Sequence, residues 1–392
     1  MPHALLLSAA LALAGQVQPI SPRDLDQALV VPPRGESAAN LAERIRASFP
    51  PKTDLTRGTH APLIEGEYVA FILEATADAR PRIGGMVNHS RGFDLLPIGE
   101  TGLWARVERI PTDTKFAYHY MIGDRRLGGK AVEMPDWAYP PESREIPGRK
   151  YGRYEPISFR SKVFDNDRKG WIYIPAAFDP KAGPARLMIF QDGTAYKNEH
   201  VGTVVDNLIA DGTMPVAILL LLDPGVNDDG RPNRSVEYDT LSDRYASFLE
   251  KEAIPYLAER YPIRSEPMSR AIGGASSGGI CAFTVAWERP DLIGRVCSHI
   301  GSFTDIRGGH VYPEKIRMSP KKPIKVFLHD GTNDLINRFG DWWLANVAMN
   351  EALKAKGYDV SFLQDRGFHA YWSGGRVLPE SLRRTWSEPP AR

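Results

Sequence analysis

Strand-like and helix-like patterns of apolar residues alternate along the second half of the chain. Apolar runs rich in β-branched and aromatic residues predict strands at 171–174, 186–191, 216–222, 270–273, 296–300, 324–328 and 360–363. Helical spacing between them predicts helices at 201–209, 245–261, 280–287 and 342–354, and Pro255 should kink the second of these. The run 216–222 is apolar throughout, which is typical of a central strand covered on both faces. The alternation predicts an α/β domain over 157–388 with a doubly wound, mostly parallel sheet.

Residues 61–130 show a different pattern, with β-rich runs and no helical signal between them. The run 67–73 places Val69, Phe71 and Leu73 on one face, and further runs follow at 104–109 and 116–122. We therefore expect a small antiparallel β-sandwich of the immunoglobulin-like type in front of the α/β domain. The proline-rich segment 131–156 is expected to be a stiff linker.

Residues 1–60 are interpreted as an export signal followed by a connecting segment. The apolar stretch 4–14 is shorter than the roughly 20 residues that a membrane helix needs. Its small-x-small end predicts a signal peptide over 1–14, the alternative being an apolar helix packed on the body of the protein. Residues 15–60 are expected to form a linker or strap with a single helix, marked by Leu41, Ile45 and Phe49. Export predicts a periplasmic or secreted protein.

The composition narrows the classes of function. The net charge of +1 provides no electrostatic footprint for a nucleic acid and no polybasic arm for a membrane surface. The 2 cysteines, Cys281 and Cys297, cannot build a disulfide scaffold or a four-thiolate zinc site and are expected to be buried thiols. The histidines show no metal-ligand spacing, so neither a metal nor another cofactor is expected.

The strongest local signal is the sequence Gly-Ala-Ser-Ser-Gly at 274–278, between a predicted strand and a predicted helix. This is the G-x-S-x-G pattern of a nucleophile elbow, in which glycines permit a sharp turn that exposes the serine. Ser276 is the expected nucleophile, although a plain Ser/Gly-rich connection is the alternative. The backbone N–H of Ser277 and one near Gly193 and Thr194, in the loop after the strand ending at 191, are expected to stabilise an oxyanion.

A nucleophilic serine needs a base and an acid, which in α/β-hydrolases follow it in the order acid, histidine. His369 comes just after the last predicted strand and is preferred as the base over His329, which ends an apolar strand. Asp334 is preferred as the acid over Asp330, which comes directly at a strand end and can instead stabilise the turn. The acid would orient the imidazole and stabilise its protonated form.

Four further side chains are candidates for contact with a substrate. Tyr196 either lines the pocket or packs its loop. Arg234 and Glu237 either bind polar groups of a substrate or form an ion pair that orders their own loop. Trp342 either stacks on a substrate ring or begins a packed helix.

Residues 155–385 resemble the esterase family that includes enterochelin esterases and the feruloyl esterases of plant-cell-wall degraders. The matching motifs are Phe-Gln-Asp-Gly at 190–193, Gly-Ala-Ser-Ser-Gly-Gly at 274–279, Gly-Thr-Asn-Asp at 331–334 and Gly-Phe-His at 367–369. The resemblance implies an α/β-hydrolase fold and a catalytic triad of Ser276, Asp334 and His369. Residues 62–130 are similar, by pattern, to the early-set β-sandwich that is often fused in front of such esterases.

The sequence therefore predicts a secreted serine carboxylic-ester hydrolase that works through an acyl-enzyme. The expected partner is a small-molecule or polysaccharide-linked ester: a siderophore lactone, or a feruloyl or acetyl ester of a polysaccharide. Neither a nucleic acid nor a membrane span is expected. Two other hypotheses are acyl transfer to a sugar acceptor and polysaccharide binding without catalysis.

Overall fold

The computed structural model describes residues 17–31, 35–76, 78–85 and 92–388. The chain forms two compact units that divide between Trp137 and Ala138, inside the segment predicted as a linker. The predicted signal peptide, 1–14, lies outside the described residues. Among the described residues, no helix combines the length and the apolar character that crossing a bilayer requires.

The first unit is built from antiparallel strands. As far as its residues are described, these are β1 (Leu63–Glu65), β2 (Tyr68–Glu74), β3 (Arg82–Gly85), β4 (Phe93–Asp94), β5 (Leu96–Pro97), β6 (Leu103–Arg109), β7 (Lys115–Ile122) and β8 (Arg125–Glu133). They pair in two four-stranded sheets, ordered β1–β2–β6–β5 and β4–β3–β7–β8. The ring of Phe71 on β2 packs against Phe116 and Tyr118 on β7, with centroids 6.1 and 5.0 Å apart, so buried aromatic rings join the two sheets. The immunoglobulin-like, early-set identity of this unit stays a prediction.

The described part of the segment predicted as a linker or strap, 17–31 and 35–60, contains two helices instead of one. They are α1 (Pro22–Val30) and α2 (Ala38–Ala47), and serine hydroxyls accept from the backbone in the first turn of each. Leu25 of α1 and Ile45 of α2 are fully buried in one cluster with Ile72 of β2. The sequence signal for α2 was right, whereas α1 was missed although Leu25, Ala28 and Leu29 recur at helical spacing.

The second unit is organised around an eight-stranded sheet. Its strands are β9 (Arg153–Ser161), β10 (Asn166–Ile174), β11 (Arg186–Gln191), β12 (Ala217–Leu222), β13 (Arg270–Ala275), β14 (Arg295–His299), β15 (Lys325–Gly331) and β18 (Asp359–Asp365), with a separate hairpin of β16 (Ile336–Asn337) and β17 (Gly340–Asp341). The order is β18–β15–β14–β13–β11–β12–β10–β9. From β18 to β12 all neighbours are parallel, and β10 is antiparallel to both of its neighbours. The mostly parallel sheet was predicted, but β9 was missed because the proline-rich linker was expected to extend into it.

Helices cover the sheet on both faces. They are α3 (Gly193–Asn198), α4 (Val201–Ala210), α5 (Arg234–Tyr238), α6 (Arg244–Phe248), α7 (Ile254–Ala258), α8 (Ser277–Glu288), α9 (Tyr312–Met318), α10 (Trp342–Ala355) and α11 (Tyr371–Trp386). On β11, Leu187 and Ile189 belong to one buried cluster, and Met188 and Phe190 to another. Because side chains alternate along a strand, these clusters lie on opposite faces of the sheet. The arrangement is that of an α/β-hydrolase fold.

The predicted long helix is irregular just before Pro255. A π-helical turn, Leu249–Ala253, joins α6 to α7 just before the proline. Proline has no N–H to donate, and its ring would clash with the carbonyl four residues earlier. The wider turn accommodates both effects.

The segment 131–156, predicted as a linker, is not a free spacer. Residues 131–133 complete β8, and the 3₁₀ turn Pro141–Ser143 follows in the second unit. The side chain of Asn207 on α4 donates to the carbonyls of Glu142 and Arg144, at 2.8 and 2.9 Å. These bonds hold the segment after the unit boundary against α4.

Candidate active site

Ser276 occupies a strained turn between β13 and α8. Its backbone has φ +59° and ψ −121°, a region that residues with a side chain rarely adopt. A Cβ on Gly274 would lie 2.5 Å from the backbone of Gly278, and a Cβ on Gly278 would lie 3.1 Å from Gln191. Close packing therefore requires glycine at 274, as the elbow pattern predicted, whereas a side chain at 278 would make its neighbours shift by a few tenths of an ångström.

Three loops at the carboxyl edge of the sheet bring a serine, a histidine and an aspartate together. Ser276 follows β13, Asp334 follows β15 and His369 follows β18. His369 Nε2 lies 2.8 Å from Ser276 Oγ, and His369 Nδ1 lies 2.6 Å from Asp334 Oδ1. Asp334 is 2% exposed, so its charge acts on the imidazole with little screening by water. The geometry allows Nδ1–H to donate to Asp334 while Nε2 accepts the serine proton.

The competing acid and base have other partners. Asp330 is fully buried, and it accepts from the Gly331 N–H at 2.7 Å and from Asn346 Nδ2 at 2.6 Å. Burial, followed by the nearby charge of Asp334, raises the pKa of Asp330 well above its usual range. His329 is buried as well and lies 3.1 Å from Asp365.

The two helices that begin at this edge supply backbone N–H groups. Gly193 is the first residue of α3 and Ser277 the first of α8, and the first N–H groups of a helix have no partner within it. The Thr194 N–H and hydroxyl instead donate to the carboxylate of Asp223, at 2.8 and 2.6 Å. A Cβ at Gly193 would lie 2.3 Å from the Leu221 carbonyl carbon, so only glycine fits there. Of the two residues left open by the sequence, Thr194 therefore has its N–H bonded to a side chain.

Arg234 lies beside the nucleophile, but Glu237 does not. The guanidinium of Arg234 makes a bidentate pair with Asp192, at 2.9 and 2.8 Å, and donates to Ser277 Oγ at 3.0 Å. Glu237 is fully buried and pairs with Arg168 at 2.6 Å. The structure therefore separates two residues that the sequence considered as a pair, and Glu237 orders the loop through a different arginine.

Tyr196 and Trp342 are packed into the protein and present no open face to a ligand. Tyr196 is 1% exposed, stacks on Phe190 and bonds through its hydroxyl to His299 Nδ1 at 2.8 Å. Trp342 is 2% exposed, and its ring edge meets His369 with centroids 5.5 Å apart. For both residues the packing interpretation of the sequence, and not the pocket interpretation, matches their placement.

The sequence missed two polar neighbours of the nucleophile. Asp192, with φ +54°, binds Arg234, and Ser302 Oγ lies 3.1 Å from Ser276 Oγ. A signal existed for Ser302, since it follows the carboxyl end of β14, where ligands and catalytic groups gather in such sheets. Cys281 and Cys297 are free, buried thiols, as expected. No group of three or more possible metal ligands occurs among the residues that the structure describes.

Comparison with known proteins assigns the chain to a family. Residues 161–370, more than half of the chain, match the family described as "Putative esterase". The chain belongs to this esterase family. The family match spans Ser276 and Asp334 and ends directly after His369.

Two curated proteins are similar to the chain, but distant in sequence. The endo-1,4-beta-xylanase/feruloyl esterase of Xylanibacter ruminicola is 24% identical over 374 residues, covering 88% of this chain and 48% of that protein. The iron(III) enterobactin esterase of Dickeya dadantii is 25% identical over 257 residues, covering 61% of this chain and 57% of that protein. The chain thus spans about half the length of these curated relatives.

Solved structures show the same fold. The enterobactin esterase of Shigella flexneri aligns with a TM-score of 0.62 at 16% identity, covering 84% of this chain and 96% of that one. The ferulic acid esterase of Anaeromyces mucronatus aligns with a TM-score of 0.52 at 20% identity, covering 63% and 96% respectively.

Proposed function

We propose that this protein is a serine carboxylic-ester hydrolase whose catalytic triad is Ser276, His369 and Asp334. The observation that carries the proposal is the continuous hydrogen-bonded path from Ser276 Oγ through the His369 ring to Asp334, at 2.8 and 2.6 Å. Membership of the esterase family and the strained backbone at Ser276 support the same conclusion.

The proposed reaction proceeds through an acyl-enzyme. His369 Nε2 takes the proton of Ser276 as Oγ forms a bond to the ester carbonyl carbon, and the carbonyl oxygen becomes an oxyanion. The N–H groups of Gly193 and Ser277 hold that oxyanion. The tetrahedral intermediate collapses as the imidazolium protonates the departing alcohol. Water then repeats the sequence on the acyl-enzyme, and Ser276 leaves as the free hydroxyl.

The proposed substrate class follows from the relatives and from the charge beside the nucleophile. The relatives are named as a feruloyl esterase and an iron(III) enterobactin esterase, so we propose a siderophore lactone or a feruloyl ester of a polysaccharide. An acetyl ester of a polysaccharide stays a prediction of the sequence. Arg234, whose side chain is 31% exposed next to Ser277, is the group we propose to meet a polar part of such an ester. Activity on a panel containing a catecholate trilactone, methyl ferulate and acetylated xylan ranks these substrates.

Replacing the nucleophile tests the proposed activity. Ser276→Ala removes the attacking oxygen and is expected to lower kcat on p-nitrophenyl acetate by up to about a millionfold, as for other triads. Unchanged circular dichroism serves as the control for folding. Labelling of the wild-type protein by a fluorophosphonate, lost in Ser276→Ala, is the second readout. A wild-type rate in the variant would disprove the proposal.

We also propose that residues 1–14 direct export to the periplasm or the medium and are removed there. The support is the apolar stretch 4–14 and its small-x-small end at Ala14. Mass determination of the protein recovered from periplasm and medium tests the cleavage site. We further propose an early-set β-sandwich for the first unit, which its antiparallel strands support.

A further inference from the structure

We propose that Ser302 is a further catalytic residue, whose hydroxyl donates a hydrogen bond to the oxygen of the nucleophile, in an orientation set by Trp342. The inference rests on the proposed function, because it assigns a role within the same reaction. Ser302 lies in the loop after β14, and its Oγ is 3.1 Å from Ser276 Oγ. Its backbone N–H also donates to the Ser276 carbonyl at 3.0 Å, which fixes the two residues against each other.

The direction of the bond follows from the partners of Ser302. Trp342 Nε1 lies 3.1 Å from Ser302 Oγ, and an indole N–H can only donate. Ser302 Oγ therefore accepts from Trp342 and keeps its own single hydrogen for another partner. Ser276 gives its hydrogen to His369 Nε2, so its oxygen has lone pairs free to accept. The arrangement assigns Ser302 as the donor and Ser276 as the acceptor.

This bond matters most when the nucleophile carries charge. As the Ser276 proton moves to His369, negative charge develops on Oγ, and a hydrogen bond to a charged acceptor is stronger than one to a neutral acceptor. Ser302 keeps its proton throughout, so the proton balance of the reaction is unchanged. The same donor stabilises Oγ when it departs from the acyl group during deacylation. Ser302 thus stabilises the nucleophile, whereas the Gly193 and Ser277 N–H groups act on the carbonyl oxygen.

Burial separates this role from substrate binding. Ser302 is 1% exposed and Trp342 is 2% exposed, so neither reaches a bound ester. Trp342 acts as a positioning residue through Ser302, and its ring also packs edge-on against His369. The expected signature is a change in kcat with KM unaltered.

The test measures kcat per titrated active site on p-nitrophenyl acetate, together with the rate constant for labelling by a fluorophosphonate. In that labelling a bond forms between Ser276 Oγ and phosphorus, fluoride leaves and the proton goes to His369. Ser302→Ala is expected to lower both by about 10- to 100-fold, less than the loss of an oxyanion donor costs. KM is expected to stay within about twofold, because no substrate contact is lost.

Two further variants make the result decisive. Ser298→Ala removes a buried hydroxyl on β14 that has no hydrogen-bond partner among the described residues, and it is expected to behave like the wild type. Trp342→Phe keeps Ser302 but removes its orienting donor, and it is expected to lower kcat by about three- to tenfold. If Ser302→Ala does not fold, Trp342→Phe carries the test.

Three outcomes would overturn the inference. The first is a kcat per site in Ser302→Ala that lies within about twofold of the wild type, and the second is a loss of kcat in Ser298→Ala equal to that in Ser302→Ala. The third applies where Ser302→Ala does not fold, and it is an undiminished kcat in Trp342→Phe. A wild-type protein that neither hydrolyses esters nor reacts with the probe would overturn the proposed function as well. An active wild type with an unaffected Ser302→Ala overturns only the inference.

Discussion

At the scale of single residues, the proposed chemistry depends on two neighbouring carboxyl groups that have different hydrogen-bond partners. Asp334 meets His369 Nδ1, whereas Asp330 is held by the Gly331 N–H and Asn346. Two buried carboxylates close together repel, so one ionises and the other keeps its proton. Burial first, and then the nearby Asp334, raises the pKa of Asp330 well above its usual range, which disfavours a charge on Asp330.

This division predicts unequal effects of the two isosteric amides. Asp334→Asn presents an amide to Nδ1 and favours the wrong imidazole tautomer, so kcat on p-nitrophenyl acetate should fall by about 10⁴-fold. Asp330→Asn leaves the contact with His369 in place and should lower kcat per titrated site by less than about tenfold. Comparable losses in both variants would contradict the assignment of Asp334 as the acid.

Sequence reasoning selected three residues whose positions are encoded locally, and the structure places their side chains within hydrogen-bonding distance of one another. Ser276 sits in a strand–turn–helix pattern with glycines on either side, and Asp334 and His369 follow predicted strands in the expected order. Ser302 was missed because its contact with Ser276 depends on where the loop after β14 meets the start of α10. Its place after the carboxyl end of β14 was a signal for the edge of the sheet, but a local pattern does not specify which distant side chain it meets there.

At the scale of elements, α11 shows why some helices escaped prediction. It contains Gly374, Gly375 and Pro379, all of which disfavour a helix interior. The glycines are there for packing: a Cβ on Gly374 would lie 2.8 Å from His299 Nδ1, and one on Gly375 would lie 2.3 Å from the Glu199 carboxylate. The close packing of α11 against β14 and the end of α3 therefore outweighs the low helix propensity of these residues. The helix was missed because the sequence shows the propensity but not the packing.

His299 joins these three elements in a single hydrogen-bonded chain. Ser381 of α11 donates its hydroxyl hydrogen to Val377 at 2.8 Å, so its oxygen accepts from His299 Nε2–H, also at 2.8 Å. Nδ1 then accepts from the Tyr196 hydroxyl of α3. The sequence predicted a core role for His299, and these bonds match a neutral imidazole that links β14 to α3 and α11.

The stability of this junction should depend on pH. Burial, aided by the nearby His329, lowers the pKa of His299 well below its usual range, so the folded protein binds that proton less readily than the unfolded chain. The contribution of His299 to the free energy of unfolding is therefore fully present above the pKa of the unfolded state, about 6.5. It is lost as the pH falls below that value, by up to about 1.4 kcal/mol per pH unit.

Urea denaturation between pH 5 and pH 7.5 measures this dependence. His299→Gln keeps one donor and one acceptor but cannot take up a proton in this range, so the fall in unfolding free energy on acidification should be shallower than in the wild type. If the free energy of unfolding fell equally with pH in the two proteins, His299 would not be a cause of the loss of stability in acid.

At the scale of the whole molecule, each of the two units has a core of its own. The first unit buries Leu25, Ile45 and Ile72 in one cluster, and the second has clusters on both faces of its sheet. The sequence predicted a β-only region followed by a region of strand–helix alternation, and the two compact units of the structure divide inside the segment predicted as a linker between them. The boundary at Trp137 was harder to place. A proline-rich segment that packs on α4 cannot be distinguished by its sequence from one that makes no contacts.

The division predicts that the second unit carries the chemistry alone. Ser276, Asp334 and His369 all lie beyond Ala138, as do the N–H groups of Gly193 and Ser277. A protein comprising 138–392 buries the sheet on both faces with its own helices, so we expect it to fold as a domain and to hydrolyse p-nitrophenyl acetate with a kcat within about threefold of the full chain. A chain of the same residues carrying Ser276→Ala is the matched control and should be inactive. Cooperative urea unfolding establishes that the isolated unit is folded, and a folded but inactive unit would show that the first unit contributes to catalysis on a small ester.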